Sequence, residues 1–183
     1  MTIKRFKSLF ILVLVLGAGF IPNNVNAIEP LITGKEKNEK RQKDMTLGII
    51  KPDAVRDKKT GSIIKEIEDN GFEIVAQKQI ILSESQVRLF YGEHINKPFF
   101  GELMDFMTSG PIVVLVLVKK NAVGDYRKLM GATNPLKAEK GTLRSKYGAD
   151  LTHNAVHGSD SLDSARREIY FFFSGIEMNV MSH

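Results

Sequence analysis

Apolar residues beyond position 44 fall into short continuous runs separated by stretches with helical spacing. Three runs rich in β-branched residues are predicted to be strands: Thr46–Lys51, Phe72–Leu82 and Ile112–Val118. The third is the strongest, because its seven successive apolar residues indicate a strand buried on both faces. Pro52 ends the first run, and Lys51–Asp53 is predicted to form a turn.

Between and after these runs, apolar residues recur at the spacing of a helix. Five helices are predicted in this way: Gly61–Gly71, Ser83–Tyr91, Phe99–Thr108, Asn121–Leu129 and Leu162–Phe172. Ser83 with Gln86 three residues later has the pattern of a capping box, and Asn121 is a predicted N-cap. Gly71 and Gly131 stand where C-caps belong.

The order of these elements predicts an α+β domain in which helices pack on a small sheet, with the plan βαββαβ. The fourth strand has the weakest pattern, and we expect it just before His157. The polar stretch Ala132–Asp150 is predicted to be a loop with a helical turn at Thr142–Tyr147. Such a long stretch without hydrophobic pattern inside a compact domain is often functional.

The first 27 residues have the composition of a signal peptide. Three basic residues and no acid precede an uncharged run of 13 residues, Leu9–Ile21, and cleavage is expected after Ala27. The run is shorter than the roughly 20 residues that span a bilayer, which favours a signal peptide over a permanent anchor. An uncleaved signal anchor, or a misassigned start with translation from Met45, are the alternatives.

Residues 28–44 carry dense mixed charge and few apolar positions, and are predicted to be a disordered linker before a domain at 45–183. The protein is expected to be exported, to the periplasm or medium, if the signal is real, and cytoplasmic otherwise. No membrane span is expected once the signal is removed.

The net charge of +5 depends largely on the predicted signal. Removing its three basic residues from the 26 leaves 23 against 21 acidic residues, a net charge of +2. The basic composition therefore gives no reason to expect binding to nucleic acid. The chain has no cysteine, which excludes disulfides and a thiol nucleophile. No side chain is predicted to bind a metal directly.

The stretch His153–Ser161, HNAVHGSDS, is the candidate for chemistry. It predicts a histidine, His157, on a tight turn, where Gly158 leaves one side of the ring open and lets the backbone take unusual dihedrals. The Ser-Asp-Ser run that follows has the pattern of a helix start. For a lone histidine, the ordinary interpretation is a surface loop followed by a helix cap.

Six blocks of sequence resemble the nucleoside diphosphate kinase family, in that family's order and spacing. The resemblance spans Thr46–Phe173. The blocks are Ile49–Val55, Lys97–Phe100, Met107–Val114, Gly131–Pro135, Gly141–Arg144 and Asn154–Ser161.

The resemblance implies a ferredoxin-like βαββαβ fold, with an antiparallel four-stranded sheet and helices packed on it, assembled as a homo-oligomer (tetramer or hexamer). It implies transfer of the γ-phosphate of a nucleoside triphosphate to a nucleoside diphosphate. The reaction would be ping-pong through a phosphohistidine, with Mg²⁺ carried by the nucleotide.

The resemblance also implies roles for ten residues. His157 matches the phosphorylated histidine, Glu168 the glutamate that orients it with support from Ser159, and Tyr91 a nearby tyrosine. The other six match positions that bind the nucleotide: Lys51, Arg127, Thr133 and Arg144 at the phosphates, Phe99 on the base and Asn154 near the sugar hydroxyl.

Physical chemistry supports this set of residues. A histidine nucleophile needs a neutral imidazole whose second nitrogen is bonded to a fixed acceptor, and arginine and lysine hold phosphate oxygens. The chain has no GxxxxGK[ST] motif, so no P-loop is predicted. Stacking of the base on one aromatic side chain predicts broad base specificity.

Taken singly, each of these residues has an ordinary explanation. Phe99 could belong to the core, the arginines could be solvated, and Glu168 could pair with Arg144 or Arg166. A non-catalytic nucleotide-binding or interaction module is the alternative function. An RNA-binding domain of the same topology is disfavoured, because the first and third strands carry no aromatic residue.

Overall fold

The computed structural model describes residues 44–178, which form an antiparallel four-stranded sheet with helices on both faces. The strand order is β2-β3-β1-β4, so the α+β, βαββαβ prediction is confirmed. The predicted signal peptide, and the predicted linker up to residue 43, lie outside the described residues. The strands are β1 Asp44–Ile50, β2 Glu73–Ile80, β3 Ile112–Lys119 and β4 Val156–Gly158.

Eight α-helices connect or follow these strands in the described part of the chain. They are α1 Pro52–Arg56, α2 Thr60–Asp69, α3 Glu84–Phe90, α4 Phe100–Thr108, α5 Ala122–Met130, α6 Leu143–Tyr147, α7 Leu162–Phe172 and α8 Gly175–Met178. Single 3-10 turns occur at Gly92–His94 and Pro135–Lys137. Within 44–178, none of these helices has the length and apolar character needed to cross a bilayer.

The central strands have buried side chains on both faces, which explains the unbroken apolar run of β3. Val114 and Val116 belong to one core cluster together with residues of α3, α4 and α7. Leu115 and Leu117 belong to the other, with residues of α2 and α5. Because successive side chains of a strand point to opposite faces, one apolar strand supplies both cores.

Several local signals in the sequence have the predicted structure. Ser83 and Gln86 form a complete capping box at the start of α3. Gly71 follows α2 with φ of +80°, a conformation that glycine adopts without strain. Ala165 and Ile169 of α7 are buried, as the helical spacing of that segment predicts.

Two predictions near helix starts are wrong in part. Pro52 does not merely end a strand in a turn, because it is the first residue of the five-residue helix α1; proline favours that position because the first helical N–H has no partner within the helix. Asn121 is at the N-cap of α5, but its side chain accepts no capping hydrogen bond and donates instead to Asp125 at 3.0 Å.

The fourth strand is also placed differently from the prediction. β4 does not end before His157 but contains it, with His157 paired to Ile49 of β1. The tight turn lies two residues earlier, at Ala155, whose φ is +64°. His157 is therefore held in a sheet rather than displayed on a turn.

Candidate active site

A cleft of about 440 Å³ opens beside β4. Nine of the ten residues predicted to form the site line it, and the tenth, Ser159, lies behind His157 and is fully buried. The nine are Lys51, Tyr91, Phe99, Arg127, Thr133, Arg144, Asn154, His157 and Glu168.

The imidazole of His157 is held by a carboxylate from the last long helix. Nε2 of His157 lies 3.1 Å from Oε2 of Glu168, which α7 carries to the ring. The same Oε2 accepts a hydrogen bond of 2.7 Å from the Ser159 hydroxyl, and Ser159 Oγ accepts one from the main-chain N–H of Leu47 in β1. This chain of bonds fixes both the ring and the carboxylate against the sheet.

The second ring nitrogen of His157 is left for a ligand. Nδ1 has no hydrogen-bond partner among residues 44–178, and the side chain retains 21% exposure at the cleft. A carboxylate that accepts from Nε2 selects the tautomer whose Nδ1 carries the lone pair. The arrangement is that of an oriented nucleophile.

Two aromatic rings confine the imidazole. The ring of Phe90 lies 5.5 Å from that of His157, and the ring of Tyr91 lies 6.1 Å away at an interplanar angle of 84°. The Tyr91 hydroxyl is buried without a hydrogen-bond partner among the described residues. Burial, followed by the charge of Glu168, raises the pKa of Tyr91 well above its usual range, so this side chain is neutral.

Four cations line the cleft: Lys51, Arg127, Arg144 and Arg167, the last of which donates to Glu93 at 2.8 Å. The three at predicted positions lie in different environments. Lys51 is only 7% exposed, and Nζ donates to Asn154 Oδ1 at 2.7 Å. Burial, and then the charge of Arg144, lowers the pKa of Lys51 to about 8. Arg144 donates to the carbonyl oxygens of Gly131 at 3.0 Å and Val156 at 3.1 Å, and burial lowers its pKa. Arg127 is exposed.

Asn154 has a structural role that the sequence did not reveal. Its amide nitrogen donates to the carbonyl oxygens of Thr133 at 3.1 Å and Leu151 at 2.8 Å. Because Oδ1 accepts from Lys51, both ends of this buried side chain already have protein partners. Asn154 therefore ties the polar loop to the end of β1.

Phe99 and Thr133 are at the outer part of the cleft. Phe99 is 51% exposed, which rules out the ordinary interpretation of a core residue, and its ring lies 5.8 Å from that of His94. Thr133 is exposed. An exposed aromatic face beside a polar cleft is available for stacking by a planar ligand.

Sequence reasoning missed Asp53 altogether. It is buried at the start of α1, and its Oδ2 accepts the main-chain N–H of Ala155 at 3.0 Å. The local sequence offered one signal, an acidic residue in the first turn of a helix that begins with proline. That signal predicts a helix start and does not predict a contact about a hundred residues away.

The role expected for Gly158 is also corrected. Its φ is not positive, so unusual dihedrals are not the reason for a glycine there. A Cβ at this position would come within 2.6 Å of the Tyr126 ring and 2.7 Å of Met130 Cε. Gly158 is needed because α5 packs directly on the backbone of β4.

The two histidines at either end of HNAVH do not form a joint site. Nδ1 of His153 bonds to Asp150 Oδ2 at 3.0 Å, and its ring packs against Phe106 at 4.6 Å. Along residues 44–178 there is no cluster of three or more histidine, cysteine, aspartate or glutamate side chains that could hold a metal ion.

An oriented imidazole facing a cleft lined by three arginines and a lysine is suited to phosphoryl transfer. The family model described as "Nucleoside diphosphate kinase" matches residues 44–178. A relative of that name from Histophilus somni (strain 2336) is 56% identical over 135 residues, which cover 74% of this chain and 96% of that protein. One from Wolbachia sp. subsp. Drosophila simulans (strain wRi) is 53% identical, covering 74% and 97%.

Solved structures give the same result. The nucleoside diphosphate kinase of Aquifex aeolicus is 39% identical, with a TM-score of 0.72 over 74% of this chain and 99% of that chain. The enzyme of Halobacterium salinarum, solved in complex with CDP, has the same identity and TM-score over 74% and 91%. This chain belongs to the nucleoside diphosphate kinase family.

Proposed function

We propose that the chain transfers the γ-phosphate of a nucleoside triphosphate to a nucleoside diphosphate through a phosphohistidine at His157. One observation carries this proposal: Nε2 of His157 is bonded to Glu168 at 3.1 Å while Nδ1 faces the cleft without a partner among the described residues. The nucleophilic atom is therefore Nδ1.

In the first half-reaction, the lone pair of Nδ1 forms a bond to the γ-phosphorus. The bond from phosphorus to the bridging oxygen breaks, and the nucleoside diphosphate leaves with that electron pair. The imidazolium N–H at Nε2 is stabilised by Glu168 Oε2. In the second half-reaction, a terminal oxygen of another nucleoside diphosphate attacks the phosphorus and the P–N bond breaks, which regenerates His157.

Lys51, Arg127 and Arg144 supply the positive charge that the phosphates require, with the Thr133 hydroxyl as a further donor. Mg²⁺ would enter as part of the substrate, held by phosphate oxygens. Bound there, it would neutralise charge on the oxygens of the transferring group. The protein groups position the phosphorus in line with Nδ1.

The family resemblance also motivates a proposal of homo-oligomers, tetrameric or hexameric. Export to the periplasm or medium is proposed separately, from the pattern of residues 1–27.

The decisive experiment is labelling with γ-³²P-ATP. We expect wild-type protein to acquire one acid-labile phosphate and His157→Ala to acquire none, because the substitution removes the nucleophile. His153→Ala is the matched control, since this histidine lies four residues away and outside the lining of the cleft. Labelling that persists in His157→Ala would place the nucleophile elsewhere.

Base recognition is predicted to be broad, because the exposed face of Phe99 can stack on any base. ATP, GTP, CTP and dTTP should then compete with similar inhibition constants, within about tenfold, when each displaces the others in the labelling reaction. Strict selection of one base would contradict stacking on Phe99 as the mode of recognition.

A further inference from the structure

The backbone just before His157 is strained. Ala155 has φ of +64°, in the left-handed region that side chains other than glycine rarely adopt. The N–H of Val156 donates to the carbonyl oxygen of Asn154 at 2.7 Å, which closes a three-residue turn around Ala155. A turn of this hand is rare and persists only where the surroundings hold it.

The surroundings that hold Ala155 come from the corner where β1 meets α1. The N–H of Ala155 donates to Asp53 Oδ2 at 3.0 Å, and its carbonyl oxygen accepts the N–H of Lys51 at 2.9 Å. Both main-chain groups of the strained residue are thus bonded to residues of one short segment. Ala155 is fully buried, so water cannot replace either bond.

The turn determines where two site residues lie. Asn154 precedes it and accepts from the Lys51 ammonium at 2.7 Å. His157 follows it by two residues, inside a strand of only three residues. So short a strand has little pairing of its own to fix its position, and the turn sets how β4 enters the sheet.

We propose that Asp53 is a positioning residue for His157: its carboxylate holds Ala155 in the left-handed conformation, and this turn fixes where β4 presents the imidazole. The inference rests on the proposed function, since it concerns phosphorylation of His157. Asp53 does not line the cleft, so it acts through the backbone of Ala155 rather than on the substrate.

Asp53 also carries a charge near Lys51, and the test must separate that effect from the hydrogen bond. Asp53→Asn is the matched variant. Its amide oxygen can still accept from Ala155, and its NH₂ group takes the place of Oδ1, which has no partner among the described residues. Asp53→Ala removes both the charge and the acceptor, so a comparison of the two variants isolates the hydrogen bond.

The measurement is the single-turnover rate of His157 phosphorylation by saturating ATP, in full-length protein shown by circular dichroism to be folded. We expect Asp53→Ala to be about ten- to a hundredfold slower than Asp53→Asn, because small misplacement of a reacting atom costs this much. The dissociation constant for ADP should differ between these two variants by a smaller factor than the rate does, since both variants keep the phosphate-binding side chains and share the charge change.

Ala155→Gly supplies a rescue, because glycine adopts positive φ without strain. In the Asp53→Ala background it should raise the rate, whereas alone it should leave the rate within about threefold of wild type. A merely structural role for Asp53 predicts no such recovery in protein that is already folded.

Equal rates for Asp53→Ala and Asp53→Asn would overturn the inference, and so would a double variant no faster than Asp53→Ala. If Asp53→Ala does not fold, the double variant Asp53→Ala/Ala155→Gly decides, because it has the same charge as Asp53→Asn: a rate within about tenfold of Asp53→Asn supports the inference, and a slower or unfolded double variant overturns it. Failure of the proposed function is distinguishable, because wild-type protein itself would then carry no phosphate on His157.

Discussion

At the scale of single residues, the site places its charges in unequal environments. Burial and the charge of Arg144 lower the pKa of Lys51 to about 8, against the opposing effect of the carboxylates of Asp53 and Asp150. Arginine keeps its charge at any physiological pH. Among the cations proposed to bind phosphate, Lys51 is therefore the one whose charge depends on pH.

This environment predicts a weakening of nucleotide binding in mild alkali. As pH rises through about 8, ligand-free Lys51 loses its proton, so KM for the nucleotide should rise while the arginines stay charged. Steady-state kinetics between about pH 7 and pH 9.5 measure the effect. In Lys51→Arg, KM should no longer rise in alkali, whatever its value at neutral pH. A rise of equal size in that variant would mean that a group other than Lys51 causes it.

The lowered pKa of Lys51 also predicts how the free energy of unfolding depends on pH. An unfolded lysine keeps its proton up to its ordinary pKa of 10.5, while folded Lys51 releases it near 8, so the unfolded state binds more protons between these pH values. The free energy of unfolding of the ligand-free protein should therefore gain a contribution that increases from pH 8 toward 10. Urea denaturation of wild type against Lys51→Arg isolates it, and a contribution of opposite sign would contradict a lowered pKa.

At the scale of elements, the sequence predicts long strands well and very short ones poorly. The sequence predicts β3 almost to its ends, because seven of its eight residues form a continuous apolar run. β4 has three residues, too few to show a period, and it is a strand only because Ile49 and its neighbours pair with it. Such pairing is non-local, so local patterns cannot reveal it.

The same distinction between local patterns and long-range contacts applies to the candidate site. The ten site residues came from a resemblance in motifs, and nine of them line one cleft. The sequence did not predict the contact of Asp53 or the left-handed conformation of Ala155, because both depend on a contact between distant parts of the chain. The resemblance predicts that Asn154 lies near the sugar hydroxyl of the nucleotide, whereas in the folded chain its side chain has three protein partners.

The contact between β4 and α5 gives a prediction at this scale. In Gly158→Ala, the new Cβ would lie 2.6 Å from the Tyr126 ring and must displace either the helix or the strand. We expect a loss of about 1–3 kcal/mol in the free energy of unfolding, together with slower phosphorylation of the adjacent His157. Urea denaturation and the labelling rate measure the two effects.

Gly61→Ala is the control for this substitution. A Cβ at Gly61 meets no atom within 4 Å, and the residue lies in the first turn of α2. Alanine should there be neutral or stabilising by up to about 1 kcal/mol. If Gly158→Ala were as well tolerated as Gly61→Ala, the close packing of α5 on β4 would not be what requires glycine.

At the scale of the whole molecule, the family match and the N-terminal segment cover different parts of the chain. The family model matches residues 44–178, and the alignment with the Wolbachia relative from strain wRi covers 74% of this chain and 97% of that protein. The kinase fold therefore gives no reason for the basic and apolar pattern of residues 1–27. Export is the explanation proposed for that pattern, and it can be tested independently of the enzyme's chemistry.

We predict that protein isolated from its native source begins at Ile28, because the small residues Val25 and Ala27 form the pattern at which signal peptides are cleaved. N-terminal sequencing and intact mass decide the matter. A bulky charged residue in Ala27→Arg should block cleavage and leave Met1 as the first residue, whereas Asn23→Arg, outside the cleavage pattern, should not. Wild-type protein that begins at Met1 in the membrane fraction would indicate a retained signal anchor. A start at Met45 would indicate internal initiation, and either result would overturn cleavage after Ala27.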